Sequence, residues 1–395
     1  GVEPSHVLVV GDFDFDMDAG RRAGALTAWL RTPGAAPAAY DLAIETLLEL
    51  STIVRMGRPL PNGKLPNDIL DGFLKVFHFE DPSVLISAGV GDDTAAVVPD
   101  ADGVIVLKSD PITFATDAIG HYAVLVNAND IATAGARPRW FLTTLLLPTG
   151  TTASDVRTIM QDLYDHCCRW GITLCGGHTE ITDAVTRPVV IGMMAGTVAR
   201  DRLIDKRRMQ DGDRILLTKA VAVEGTALIA REFESDLLAK GMTPQSVEGC
   251  KALLDQISIL PEARIADACP GVSAMHDVTE GGLATALAEL ATAGRHNIAV
   301  QMERIPVFPE TRDICAALSI DPLGLIGSGS LLICCRPEEA EPLEAALQKA
   351  GIQTTCIAEV ASGETSTSPV DILAFNDGLA TPWPQFDVDE ITRLF

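Results

Sequence analysis

Between residues 103 and 349, apolar runs with strand character alternate with runs of helical period, and this alternation restricts the chain to layered folds in which helices cover a sheet. Strands are expected at 103–109, 140–147, 189–198, 214–218 and 330–335. Helices are expected at 120–134, 153–170, 225–232, 282–294 and 337–349. No unit recurs at a spacing of ~20–50 residues, which excludes a solenoid. A chain of 395 residues has room for two or three domains, each able to bury its own core. The polar, charged stretch 200–210 gives way to a fresh strand start at Asp211-Gly212-Asp213-Arg214, so a domain boundary is expected there.

Charge narrows the choice of partners. The net charge is −24, from 54 acidic and 30 basic residues, which repels nucleic-acid backbones and anionic membranes. The nine cysteines include two adjacent pairs, Cys167/Cys168 and Cys334/Cys335, and no CxxC, so neither a disulfide framework nor a zinc site is indicated. No apolar run reaches ~18 residues and the start lacks a basic segment followed by an apolar one. A cytoplasmic protein is expected.

The first fifty residues differ from the rest. Residues 6–10 form a β-branched run, followed by Gly11-Asp12-Phe13-Asp14-Phe15-Asp16, an expected helix at 18–25, a strand at 26–30 and helical periodicity over 41–50. This stretch resembles the C-terminal end of a haloacid-dehalogenase-type (HAD) phosphatase, whose GDxxxD turn would place Asp12 and Asp16 at a strand edge. The nucleophilic DxD of that family has no match upstream, so phosphatase activity is not expected. Residues 51–66 read as a linker, Pro- and Gly-rich over 55–66, and a helix is expected at 67–77.

Three acidic clusters sit in apolar surroundings. Asp92 and Asp93 lie in GVGDDTAAVV, where paired carboxylates are costly unless a cation or dipole relieves them. Asp110 directly follows the apolar run VIVLKS. Asn127, Asn129 and Asp130 fall in an apolar helix, with Asn127 and Asp130 on one face. Taken singly, each also reads as a turn, a cap or a structural polar contact. Together, within forty residues, they suit a hard cation that carries nucleotide phosphates.

The order GDDTAAV, then LKSDPITF, then NAND, then GARP with an apolar strand, then Cys175-Gly176-Gly177-His178-Thr179-Glu180 and finally Met275-His276-Asp277-Val278-Thr279-Glu280-Gly281-Gly282 resembles the PurM/HypE (AIR synthase-related) superfamily. The resemblance implies an α+β, PurM-like two-domain fold: an N-terminal half whose β-sheet dimerises into a barrel, a C-terminal α/β sandwich, and the short HAD-like fragment in front. The implied division is 1–50 HAD-like fragment, 51–66 linker, 67–205 ATP-binding domain, 206–365 C-terminal domain and 366–395 tail. ATP and Mg²⁺ are the implied cofactors and a homodimer the implied assembly. Asp92, Asp110, Asp130 and Asp277 are the implied metal ligands. Asp93, Asn127, Asn129, Gly176, Gly177, Thr279 and Glu280 join them around the nucleotide. From the residues themselves, Gly281-Gly282 permit a close approach to a phosphate, with Asp277 or Thr279 as a helix cap. GGHTE reads as a tight turn, and His178 and Glu180 as acceptor-side acid–base groups. Lys64 lies where relatives carry a mobile closing segment, and it also reads as a solvated linker lysine.

The texture of residues 217–335 is similar to HypE-like members, which implies ATP-dependent phosphorylation of an amide, carboxylate or similar oxygen on a small or peptidic acceptor, in cofactor or hydrogenase maturation. The C-terminal cysteine that HypE modifies has no match here, since the last cysteine is Cys356 and the sequence ends DVDEITRLF. Two alternatives stay open: a small-molecule kinase resembling thiamin-monophosphate kinase or selenophosphate synthetase, and a nucleotide-binding maturation partner without turnover.

Overall fold

The computed structural model describes residues 7–31, 37, 39–50, 56, 60, 63–65, 67–86, 96, 97, 99, 103–115, 117–361 and 371–394. They fall into two compact units. One joins residues 1–77, 146–161 and 179–188, and the other joins 78–145, 162–178 and 189–395.

The first unit opens with β1 (Leu8–Gly11), α1 (Asp14–Arg22), β2 (Leu26–Leu30) and β3 (Leu42–Ile44), the strands forming a parallel sheet in the order β1-β2-β3. The helix α1 begins earlier than expected. Asp14 and Asp16 occupy its first turn, and Asp16 Oδ2 accepts the Phe13 N–H at 3.3 Å. A helix was expected over 41–50; instead Leu42–Ile44 is a strand and only Leu47–Glu49 makes a 3₁₀ turn. The Thr27 N–H and hydroxyl both donate to Asp41 Oδ2 at 2.7 Å, which fastens the entering chain alongside β2 in an extended form. Pairing with an open sheet edge outweighs a weak helical period. The same unit contains β4 (Gly63–Lys64), antiparallel to Glu180–Ile181, and α2 (Asn67–Val76).

The second unit starts with the antiparallel pair of β5 (Val84–Ile86) and β6 (Ala96–Val97). Next along the chain come β7 (Gly103–Ile112), α3 (Ile119–Thr133), β8 (Arg137–Pro148), α4 (Ala153–Trp170), β9 (Thr173–Thr182) and β10 (Val189–Ala199), of which residues 146–161 and 179–182 are counted with the first unit. The strands lie in the order β9-β8-β10-β7. Residues 176–180 were expected to turn, but they lie inside β9. A Cβ on Gly177 would stand 2.1 Å from the Thr143 carbonyl oxygen, so this glycine lets β9 press against β8 rather than reverse the chain. On β10, Cβ atoms at Gly192 and Gly196 would each come within 2.3 Å of α3, at Asn127 Nδ2 and Ile131 Cγ2. Bare backbone at these two positions seats α3 flush on the sheet, and twelve of its fifteen residues are buried.

The rest of this unit is built on β11 (Arg214–Thr218), β12 (Val272–Asp277), β13 (Asn297–Gln301), β14 (Leu331–Cys335), β15 (Thr354–Ala361), β16 (Ile372–Asn376) and β17 (Leu379–Thr381), in the order β12-β14-β11-β15-β13-β16-β17. Only β13 and β16 pair in parallel. The helices are α5 (Val223–Glu232), α6 (Glu234–Ala239), α7 (Pro244–Lys251), α8 (Leu260–Asp267), α9 (Gly282–Gly294), α10 (Pro309–Leu318) and α11 (Pro337–Lys349). The strand β14 is buried at every position because each face carries a core. Leu332 and Cys334 join Leu283, Leu287 and Leu290 of α9 on one side. Leu331, Ile333 and Cys335 join Ala263 of α8 and Leu343 and Leu347 of α11 on the other.

Candidate functional site

In the second unit, β7, α3 and β12 bring acidic residues from three distant parts of the sequence into one electrostatic cluster. Lys108 and Asp110 project from β7 with the i, i+2 spacing that puts them on one face. The Lys108 ammonium lies 3.0 Å from Asp110 Oδ2 and 3.2 Å from Asp130 Oδ2 of α3. Asp110 was expected after its strand; β7 instead continues to Ile112, and Asp110 stands inside it, opposite Gly192.

Burial and charge perturb the group in a consistent direction. Burial, reinforced by the nearby Asp277 charge, lifts the Asp130 carboxyl to about 8, against the pull of Lys108. Burial also raises Asp277, which is only 2% exposed at the end of β12, with Lys206 and Lys108 opposing. Lys108 loses basicity to burial but gains more from Asp130 and Asp110, and ends above its ordinary value. Asp277 Oδ2 is buried without a hydrogen-bond partner, and Asp130 Oδ2 has none beyond its ion pair. Such carboxylates are expensive to bury and call for a cation.

Asn127 and Asn129, expected around a nucleotide, are engaged with backbone. Asn127 Oδ1 accepts the Asp110 N–H at 3.0 Å, and its amide donates to Ala123 O at 2.9 Å. Asn129 donates to Ile257 O at 2.8 Å and accepts the Ile259 N–H at 3.0 Å. The first pair fixes Asp110 against α3, and the second fixes α3 against the chain that leads into α8.

Around Asp277 the helix cap differs from expectation. Neither Asp277 nor Thr279 caps α9. Its N-cap is Gly281, at φ 80°, whose N–H donates to Oδ2 of the remote Asp389 at 2.6 Å. The Thr279 carbonyl accepts from Gly282 and Gly327, and Glu280 is exposed. Glycine has no side chain with which to cap the helix, and its N–H is met by the carboxylate of Asp389.

Other expected residues lie elsewhere. His178 is on β9, three strand spacings from β7, or about 14 Å across the sheet. In the first unit Glu180 faces Lys64 in the β4–β9 register. Gly176 and Gly177 lie within β9. Asp92 and Asp93 are outside the described residues.

Sequence reading missed four groups beside the cluster. Lys108 was legible, two residues before Asp110. Lys206, His276 and Glu289 were not: Lys206 Nζ lies 2.9 Å from His276 Nδ1, and His276 Nε2 lies 3.0 Å from Glu289 Oε2, across separations of 70 and 13 residues.

The donor set suits a hard divalent cation. Carboxylate oxygens converge, and an ammonium group already stands between two of them as a cation would. Among the described residues, no three His, Cys, Asp or Glu side chains form a metal-binding group by themselves. Magnesium is commonly held by one or two carboxylates together with substrate phosphates and water.

Two family descriptions match the chain: AIR synthase related protein, N-terminal domain, over residues 91–198, and its C-terminal domain over 210–371. A Methanocaldococcus jannaschii protein provisionally named for hydrogenase expression/formation is 29% identical over 268 residues, covering 65% of this chain and 76% of that protein. The carbamoyl dehydratase HypE of Rhodobacter capsulatus is 27% identical over 292 residues, covering 72% and 82%. Among solved structures, E. coli HypE superposes with a TM-score of 0.69 at 20% identity, covering 83% of this chain and 99% of that one. A HypE in complex with ATP gives 0.60 at 21% identity, covering 80% and 93%. Thiamine-monophosphate kinase of Stenotrophomonas maltophilia gives 0.63 at 20%, covering 79% and 97%. These superpositions carry the fold: a PurM-like, two-domain α/β arrangement.

Proposed function

We propose, because this chain belongs to the AIR synthase related family, that it is a Mg-ATP-dependent enzyme of the HypE-like type, which phosphorylates an amide, carboxylate or similar oxygen of a small or peptidic acceptor in cofactor or hydrogenase maturation. One observation carries the reading: Asp110 and Asp130 share a single ammonium group, with the buried Asp277 charge beside them. Asp110, Asp130 and Asp277 would hold Mg²⁺, together with Asp92 and Asp93 as the family resemblance implies. The ion supplies charge neutralisation on a triphosphate when bound.

The chain's own residues do the positioning. Asn127 holds the Asp110 backbone, and Asn129 fixes the helix that carries Asp130. In the reaction a bond forms between the acceptor oxygen and the γ-phosphorus, the β–γ bridge breaks, and ADP leaves. A carbamoyl oxygen activated in this way departs as phosphate. His178, Glu180 and Lys64 are kept as proposed acceptor-side groups.

A homodimer belongs to the same proposal. Ile105 (45% exposed) and Leu107 (62%) of β7 share an open sheet face with Met193 (41%) of β10, and β7 is a sheet edge. Domain limits near 205/206 are supported by the family matches ending at 198 and resuming at 210. The parallel β1-β2-β3 sheet supports a HAD-like fragment in residues 1–50. Nine free thiols support a reducing cytoplasm. Among the described residues no helix is long and apolar enough to cross a membrane.

The test is turnover of Mg-ATP with a carbamoylated thiol peptide. ADP, phosphate and a dehydrated peptide are expected, and Asp130→Asn should lower the rate at least ~100-fold while the fold persists by circular dichroism. A stable phosphorylated product would instead favour the kinase. Tight binding without turnover on amide and phosphate acceptors would favour the maturation partner. If calorimetry detects no ATP uptake, the reading is wrong.

A further inference from the structure

Lys206 opens the short turn Lys206–Arg208, and its ammonium group meets the Nδ1 atom of His276, the residue before Asp277. An ammonium group only donates hydrogen bonds, so Nδ1 is the acceptor and the imidazole proton resides on Nε2. That N–H then donates to Glu289 Oε2 at 3.0 Å. Each group orients the next, from Glu289 through His276 to Lys206.

Two features set this lysine apart from a simple counter-charge. It is largely withdrawn from water, and burial pulls its basicity down against the opposing charges of Asp277, Glu289 and Asp130. Yet its hydrogen-bond partner among the described residues is a ring nitrogen of His276, and no described carboxylate lies within ion-pair distance of it. Lys108 satisfies Asp110 and Asp130 directly; Lys206 stands in the same field and is held back from those acids. One of its three N–H groups is spent on His276, which leaves donors beside the carboxylate cluster for another anion.

We propose that Lys206 is a catalytic residue whose ammonium group contacts the terminal phosphate of the bound nucleotide, with His276 and Glu289 as positioning residues. The inference rests on the Mg-ATP reading above and adds to it the group that distinguishes a triphosphate from a diphosphate. A fixed cation at the transferring phosphoryl group stabilises charge that develops in the transition state, so its loss falls on kcat more than on the acceptor KM.

The experiment compares ATP and ADP binding to the full chain by calorimetry with Mg²⁺ present, alongside turnover, for wild type, Lys206→Met, Lys206→Arg and Glu289→Gln. Wild type should prefer ATP over ADP. Lys206→Met should bring ATP affinity down to that of ADP, leave ADP binding unchanged, and lower kcat by about 100-fold. Lys206→Arg should restore part of both losses. Glu289→Gln, at a half-exposed position, should keep ADP binding and lower kcat by about tenfold. Equal losses of ATP and ADP affinity in Lys206→Met, or wild-type preference and kcat in that variant, would overturn the assignment while leaving Mg-ATP use intact. Failure of the wild type itself to bind ATP would overturn the parent reading and this one with it.

Discussion

Glu224 shows how a single buried group reports on this fold. It stands in the first turn of α5, 5% exposed, and its Oε2 accepts the Ser328 N–H at 3.2 Å. Burial raises its carboxyl to about 7, with Asp389 and Asp277 adding to the shift and the Ser328 contact opposing it. The unfolded chain would titrate this group at about 4.5. Between those values the folded state holds more protons than the unfolded state, so stability falls as pH rises. The contribution is fully present below about 4.5 and is lost as pH passes through about 7, a swing on the order of 3 kcal/mol. Thermal melts in magnesium-free buffer should show this slope, and Glu224→Gln should flatten it; matching profiles for the two proteins would refute the assignment. At this scale the sequence exposed only part of the site. Asp110 and Asp130 were legible because a carboxylate amid Val, Ile and Ala is out of place. Lys206, His276 and Glu289 were not, because their contact depends on how a polar turn meets β12 and α9.

Element boundaries were legible wherever burial and local preference agreed. The expected bounds 153–170, 214–218, 282–294 and 337–349 coincide with those of α4, β11, α9 and α11. They failed where a partner strand decided the matter: 41–50 joined a sheet edge, and the glycines of 176–177 served close packing rather than reversal. Gly177 tests that account. Gly177→Ala puts a methyl 2.1 Å from the Thr143 carbonyl at φ 156° and should destabilise the protein by about 3 kcal/mol or more in denaturant melts. Gly150→Ala is the control. Its φ of 101° carries strain, but nothing lies within 4 Å, and the expected cost is about 1 kcal/mol. Equal effects would mean that backbone strain alone accounts for Gly177.

For the whole molecule, the exposed β7–β10 face would tie the proposed dimer to the site, since β7 carries both Leu107 on that face and Lys108 on the other. If two copies join there, Leu107→Glu buries a charge at the contact and should convert the dimer to monomer in sedimentation velocity at micromolar concentration. An unchanged sedimentation coefficient would remove this face from the assembly. The two-layer plan and the order of motifs were legible in the sequence; a homodimer was only implied by family resemblance, because a half-exposed apolar strand has the same pattern whether or not something covers it.

The two bare positions on β10 have a consequence for evolution of the acidic cluster. Gly192 and Gly196 carry no charge and would bind nothing, yet they set the height of α3 above the sheet and with it the separation between Asp130 and Asp110. A single methyl group there would lift the helix and spread the carboxylates, and a displacement of about 1 Å can cost ~100-fold in rate. The calibration of the charged groups is therefore kept by residues that have no side chain, and drift at those positions would degrade activity while every acid remained in place.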